Sequence, residues 1–187
     1  MDFIRIDTMI QTARAGVIGL GKLGLPFAVT LSQRSTVIGY DVEPNLRRKR
    51  LYEHRELGPY LEDDFQAHFD KAKIVFASTL KELTASTDII FVLVQTPHHP
   101  QYEGIVRLPE TRADFDYTHL DKITRELAGC VRSDHIVVLV STVLPGTTRR
   151  VVLPPLQNKC SVVYSPAFPA MGTVMSDLLN PEFILLG

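Results

Sequence analysis

The residues with the most specific chemical meaning are three glycines, Gly19, Gly21 and Gly24, spaced as G-x-G-x-x-G, and the acid Asp41 that follows them. The chemistry they suit is the binding of a pyrophosphate joined to a ribose. Gly19 makes a tight turn off a strand, Gly21 lets phosphates approach bare backbone, and Gly24 lets the next helix pack close to the sheet. The phosphates then rest on the electropositive end of that helix. Short glycine patterns recur by chance, so the context decides. An apolar run, Ala15 to Ile18, precedes the motif, and an amphipathic segment, Leu23 to Leu31, follows it. A second short strand, Thr36 to Tyr40, ends in Asp41, about 20 residues beyond the glycines, where an acid accepts hydrogen bonds from an adenosine ribose. Asp41 and Glu43 would repel a 2′-phosphate, which favours NAD over NADP. Arg47, Arg48, Lys49 and Arg50 soften that preference but read as the solvated face of the next helix.

Other reactive side chains are sparse. Cys130 and Cys160 are the only cysteines and show no metal-ligand spacing, so they read as buried thiols rather than a disulfide, in a reducing, cytoplasmic setting. His98 and His99 stand together, without Cys, Asp or Glu at ligand spacing, and read as solvated loop residues rather than a metal site. With 20 basic and 21 acidic residues among 187, the charge balance excludes an electrostatic case for nucleic acid or an anionic membrane. No apolar run approaches a membrane span, and the N-terminus lacks a signal-peptide pattern.

The elements that must position these residues follow in order. Residues 1–14 form an N-terminal extension in which Phe3, Ile4, Ile6, Met9 and Ile10 suggest a short element packing on the domain. Residues 15–187 read as one domain. After Asp41, a helix is expected over Pro44–Tyr52 and another over Glu62–Phe69, then a strand at Ile74–Ala77 and a helical turn at Thr79–Thr84. The apolar run Ile89–Val94 looks like a parallel strand covered on both faces. It leads through Gln95-Thr96-Pro97 into a long polar stretch, His98–Asp114. Asp116 is a candidate N-cap for a helix from Tyr117 to Ala128. His135–Val140 is another strand, ending in Ser141-Thr142. Thr147–Leu153 reads as a helix stopped by Pro154-Pro155, Ser161–Tyr164 as a strand, Val174–Leu179 as a helix, and Phe183–Leu186 as strand-like. This alternation predicts an α/β fold, a Rossmann-like, doubly wound, mostly parallel sheet with helices on both faces. Gly19, Asp41, Thr96, Ser141-Thr142 and Ser165 all fall at strand ends, so they would share one rim, where such sheets bind ligands.

At this point the chain resembles the UDP-glucose/GDP-mannose dehydrogenase family, and specifically its N-terminal, NAD-binding domain. The resemblance rests on Val17-Ile18-Gly19-Leu20-Gly21, Gly24-Leu25-Pro26, Val94-Gln95-Thr96-Pro97, Ser141-Thr142-Val143-Leu144-Pro145-Gly146-Thr147-Thr148 and Tyr164-Ser165-Pro166, in order and at family-like spacing. Enzymes of that family, known from polysaccharide biosynthesis, oxidise a sugar C6 hydroxyl to a carboxylate by two hydride transfers to NAD. The resemblance implies that Gly19, Leu20, Gly21, Lys22, Leu23 and Gly24 hold the pyrophosphate and Asp41 the ribose. It implies further that Val94, Gln95, Thr96, Pro97 and Ser141 line the cofactor cleft near the nicotinamide, and that Thr142 helps to position the catalytic water.

Departures from the family pattern bear on activity. Where the family motif N-P-E-F-L-x-E-G carries its two glutamates, this chain has Ala167 and Met171; Glu182, in Asn180-Pro181-Glu182-Phe183, reads as a surface residue. Gln95 replaces a small residue or proline. The family's nucleophilic cysteine, which holds the aldehyde intermediate covalently, lies with the substrate domain in parts that have no counterpart in this sequence, and neither Cys130 nor Cys160 matches its motif. The chain is therefore expected to be the NAD-binding domain of a nucleotide-sugar 6-dehydrogenase, inactive alone, acting on a nucleotide sugar with a missing domain or partner chain. A degenerate, non-catalytic nucleotide-binding module is the alternative. A hydroxyacid dehydrogenase of the 6-phosphogluconate type shares the first βαβ unit, but Ser141-Thr142 followed by Pro145-Gly146-Thr147-Thr148 speaks against it.

Overall fold

Unbroken apolar tetrads such as Ile89–Val92 and Ile136–Leu139 have no polar side to turn to water, so they pair as parallel strands between helical layers. The computed structural model describes residues 13–44, 65–99, 102, 107, 110, 111, 113–170 and 172–187. Within them lie β1 (Ala15–Ile18), α1 (Gly24–Ser32), β2 (Val37–Tyr40), α2 (Phe65–Lys71), β3 (Ile74–Phe76), α3 (Leu80–Ala85), β4 (Ile89–Val92) and α4 (Thr118–Leu127). They are followed by β5 (Ile136–Leu139), a π-helical turn (Thr148–Val152) running into α5 (Leu153–Leu156), β6 (Ser161–Tyr164) and α6 (Val174–Leu179). Most of the N-terminal extension expected at residues 1–14 and most of the helix expected at Pro44–Tyr52 lie outside the described residues, as do residues 62–64 of the helix expected at Glu62–Phe69.

All five strand pairings are parallel, in the order β3-β2-β1-β4-β5-β6. The chain winds outward from β1 to β3, then returns to the other side of β1 and winds outward again. The reversal falls between β1 and β4, which opens a crevice beyond their carboxyl ends. The expected doubly wound sheet is therefore present. Two core clusters lie on its opposite faces. One joins Val17, Leu25, Ala28, Val29, Phe65, Phe69 and Met175 under α1, α2 and α6. The other joins Ile90, Val92, Leu83, Leu120, Leu127 and Leu156 under α3, α4 and α5.

Local chemistry sets the helix ends. Thr79 Oγ1 accepts from the Glu82 N–H at 3.1 Å while the Glu82 carboxylate accepts from the Ser78 N–H at 2.8 Å, a reciprocal box that starts α3. In α4, Leu120, Ile123, Thr124 and Leu127 are buried at helical spacing. Asp116 lies one residue ahead of the N-cap, Tyr117, yet its carboxylate accepts from the Thr118 N–H at 2.8 Å. The capping group was thus legible, one position out of register.

Two expectations are corrected. Pro154-Pro155 does not stop the helix after β5. The wider π turn lets the Leu153 N–H reach the Thr148 carbonyl, and the two prolines then fall in the first turn of α5, where no N–H is needed. Phe183–Leu186 is not a strand. The segment meets the sheet at one point, where Tyr164 and Gly187 exchange both backbone hydrogen bonds at 2.8 and 2.9 Å. A single mutual pair is one rung, too few to make a ladder.

The chain is pinned where it enters the sheet. The Asp88 carboxylate accepts from the Arg14 backbone N–H at 2.8 Å and from its guanidinium at 2.9 and 3.2 Å, while the Arg14 carbonyl accepts from the N–H groups of Asp88 and Ile89. These bonds hold the Asp88 carboxyl at about 2, against an ordinary 3.8. A depressed acid stabilises the fold above its unfolded-state value and loses that contribution as pH falls through the folded-state value. The stability difference between the natural chain and Asp88→Asn, measured by denaturant titration, should therefore be constant above roughly pH 5 and shrink across the interval from pH 3.8 to about 2.

Candidate functional site

The glycine turn is built by backbone proximity. Gly19 has φ +91°, and a Cβ there would lie 2.4 Å from the Leu93 carbonyl oxygen, so no other residue fits. A Cβ on Gly24 would lie 1.8 Å from the carbonyl oxygen of Gly19: the first residue of α1 sits directly on the turn. Gly21 is the opposite case, with nothing within 4 Å of the space its Cβ would take. Two glycines are thus demanded by the fold, while the third faces open space. At the start of α1, Leu23 supplies no side-chain cap and the first turn carries no acid, which leaves that end electropositive.

Asp41 closes the turn from the neighbouring strand. It is buried beyond the end of β2, where its Oδ2 accepts from the Leu20 N–H at 2.7 Å and its Oδ1 from the Glu43 N–H at 2.9 Å. The Gly19 N–H donates to the Tyr40 carbonyl at 2.9 Å. The acid that the spacing marked as a candidate ribose acceptor is thus the anchor of the glycine turn. Nothing in the sequence distance between Leu20 and Asp41 announces that second role.

The far half of the rim is tied by hydroxyls. Ser141 Oγ donates to the Val94 carbonyl at 2.8 Å, and Thr96 Oγ1 donates to the Thr142 carbonyl at 2.6 Å. These bonds lash the segments after β4 and β5 together. The Asp116 N–H donates to the Pro97 carbonyl at 2.8 Å, so the long stretch after β4 leaves and returns at one point. Leu20, Gly21, Lys22 and Leu23 stand beside Asp41 at one end of the rim, and Val94, Gln95, Thr96 and Pro97 with Ser141 and Thr142 at the other. Gln95, Pro97 and Thr142 are exposed, whereas Ser141 is buried. Sequence reasoning missed Thr147, whose buried Oγ1 has no hydrogen-bond partner among the described residues. It also missed the Arg150–Asp114 ion pair, which leans the guanidinium over the Tyr117 ring at 5.9 Å.

Other candidates stay apart from the rim's chemistry. His98 rests on Phe115 and His99 on Tyr102, each at 6.2 Å between ring centroids. Among the described residues no three His, Cys, Asp or Glu side chains are grouped to hold a metal. Cys130 and Cys160 are free thiols of intermediate exposure, and burial pushes the Cys160 thiol above its ordinary value, which leaves it a poor nucleophile. Ala167 is half-buried against the core cluster under α1, and Glu182 is exposed.

Comparison with known proteins agrees with this geometry. Residues 13–187 match the UDP-glucose/GDP-mannose dehydrogenase family, NAD binding domain. GDP-mannose 6-dehydrogenase of Pseudomonas aeruginosa is 29% identical over 181 residues, covering 91% of this chain and 36% of that protein. Among solved structures, a ternary complex of GDP-mannose dehydrogenase from the same organism superposes with a TM-score of 0.76 at 26% identity, covering 93% of this chain and 40% of that one. A UDP-glucose dehydrogenase from Pyrobaculum islandicum gives 0.73 at 28% identity, with 94% and 40% coverage. The chain thus spans roughly two fifths of the length of these relatives.

The contrast between the glycines is testable without any ligand. Gly24→Ala, which drives a Cβ into the Gly19 carbonyl, should cost about 2–3 kcal/mol in thermal or denaturant unfolding, whereas Gly21→Ala should cost less than about 1 kcal/mol. Equal losses would contradict the roles given to the two positions.

Proposed function

Because the chain belongs to the UDP-glucose/GDP-mannose dehydrogenase family through its NAD binding domain, we propose that it binds NAD along this rim as the dinucleotide-holding part of a nucleotide-sugar 6-dehydrogenase. NAD is the cofactor of this family. The pyrophosphate would lie over Gly19–Gly24 at the start of α1, with Leu20, Lys22 and Leu23 flanking it. The adenosine ribose would lie at Asp41 and the nicotinamide near Val94–Pro97, Ser141 and Thr142. The observation that carries the reading is the open space at Gly21, set between two glycines that have none, beside an acid already braced on the turn. A carboxylate at that end disfavours a 2′-phosphate.

When bound, NAD would supply the hydride acceptor for oxidation of the sugar. The residues of this chain hold and orient the cofactor. Thr96 and Ser141 keep the segments after β4 and β5 in register, and Thr142, exposed beside them, presents a hydroxyl suited to positioning a water. The nucleotide sugar itself and the thiolate that carries the intermediate belong to polypeptide outside this chain, in the same protein or a partner. A cytoplasmic setting fits two unpaired cysteines; no helix among the described residues is long and apolar enough to cross a membrane.

Ala167 supports a second reading. At the position where the family carries a reacting glutamate, this chain packs a methyl group against the core, which suits a module that keeps the nucleotide cleft without the chemistry. The two readings separate on turnover. Supplying the remaining family domains should give sugar oxidation under the first reading and NAD binding without oxidation under the second.

Calorimetric titration tests the shared premise. NAD should bind in the micromolar-to-millimolar range and clearly tighter than NADP. Gly21→Ala should weaken NAD at least about tenfold, equivalent to ~1.4 kcal/mol, with the fold retained. Asp41→Ala removes the brace on Leu20 along with the ribose acceptor, so it should lower both NAD affinity and stability, each by about 1–3 kcal/mol. Unchanged NAD affinity in Gly21→Ala would remove the phosphates from this turn.

A further inference from the structure

Beside the carboxyl rim, separate chain segments meet on one tyrosine. The Leu144 N–H donates to the Tyr117 hydroxyl at 3.1 Å. Tyr117 is the N-cap residue of α4 and Leu144 belongs to the turn after β5, so this bond joins elements that are not joined by a strand ladder. The Arg150 guanidinium lies 5.9 Å over the centre of the Tyr117 ring and is ion-paired with Asp114, on the stretch that leads into α4. Asp114 Oδ1 also accepts from the Phe115 N–H at 2.9 Å. Desolvation works against the charge on Asp114, but the Tyr117 hydroxyl, the Phe115 N–H and Arg150 outweigh it and hold the carboxyl below its ordinary value. Arg150 reaches this position from the π-helical turn over Thr148–Val152, a rare geometry found frequently at functional sites. An ion pair as exposed as this one adds little to stability. What the cluster supplies is geometry: the ring packs on the core cluster under α4, is covered by a cation, and offers its hydroxyl to one backbone N–H.

We propose that Tyr117, held by Asp114 and Arg150, is a positioning residue that fixes the segment Thr142–Leu144 at the nicotinamide end of the rim. What that end binds rests on the cofactor reading above; the fixing of the segment does not. The Thr142 carbonyl accepts from Thr96 Oγ1 at 2.6 Å. Two residues on, the Leu144 N–H is taken by Tyr117, and the Leu144 carbonyl accepts from the Thr147 N–H at 3.1 Å. That last bond closes a turn with Pro145 in its second place and Gly146, at φ +87°, in its third, the arrangement of a type II turn. Leu144, as the residue before a proline, is itself restricted to extended backbone. Thr142 and Val143 are therefore stretched between fixed points. Thr142 is exposed, so backbone ties rather than packing decide where its hydroxyl stands. Loss of the Tyr117 hydroxyl would free the end of this span that faces the turn, while the Thr96 tie stayed in place.

Nucleotide titrations and an NMR relaxation measurement on the full chain test it. Tyr117→Phe keeps the ring and its packing and removes the hydroxyl alone. We expect it to weaken NAD about three- to tenfold, the range for one lost hydrogen bond. ADP-ribose, which lacks the nicotinamide, should keep its affinity within about twofold. A merely structural role would move both nucleotides alike. In the chain without nucleotide, the backbone amide order parameters of Thr142 and Val143 should fall in Tyr117→Phe from about 0.85 toward roughly 0.6, with those of Leu20 to Leu23 unchanged. Asp114→Asn and Arg150→Lys leave the hydroxyl in place but release the ring, and should reproduce part of each effect. Unchanged order at Thr142 and Val143 in Tyr117→Phe would overturn the proposal. So would an NAD affinity equal to that of the natural chain, or equal losses of NAD and ADP-ribose. Should the natural chain bind neither nucleotide, the cofactor reading fails, and the order parameters by themselves decide whether Tyr117 fixes the segment.

Discussion

The contact on which the site depends is the approach of the Gly24 α-carbon to the Gly19 carbonyl, close enough that a single methyl group would occupy the same space. That approach sets the angle at which α1 leaves β1, and so where the electropositive end of the helix points. It also forces the intervening residues into a tight turn whose Leu20 N–H faces the neighbouring strand, where Asp41 accepts it. Turn, helix direction and the acid at β2 are therefore one mechanical unit. On the proposed NAD reading, one carboxylate would both brace the turn under the phosphates and accept from the ribose, so the two recognitions would be coupled.

The opposite half of the rim is made in another way. Where β1 and β2 are joined by a buried carboxylate, the segments after β4 and β5 are joined by hydroxyls donated to backbone carbonyls, from Ser141 to Val94 and from Thr96 to Thr142. Small hydroxyls satisfy the backbone groups that strands leave unpaired at their ends while keeping the rim narrow. A side chain able to fill the cleft would have blocked the surface these residues frame.

Ala167 lies in apolar surroundings that include Phe27, Phe168 and Val163. A carboxylate there would carry a desolvation cost unless a partner group reached it. The alanine instead packs a methyl group against the core cluster under α1 without that cost.

Much of the architecture was legible because it is local. Apolar tetrads, the G-x-G-x-x-G turn, the helical turn at Thr79–Thr84 and the helix from Tyr117 to Ala128 depend on residues a few positions apart, and they determined the alternating elements, the parallel sheet and the dinucleotide class of the rim. What the sequence left undecided depends on residues far apart in the chain. The bond of Asp41 to the Leu20 N–H, the clamp of Arg14 on Asp88, the passage of Pro154 and Pro155 inside a helix and the single rung between Tyr164 and Gly187 are all of this kind. Only the tertiary structure decided which helices cover each face of the sheet among the described residues. Periodicity records that a strand must be covered, but which helix covers it follows from sheet order and helix length, quantities set by the whole packing.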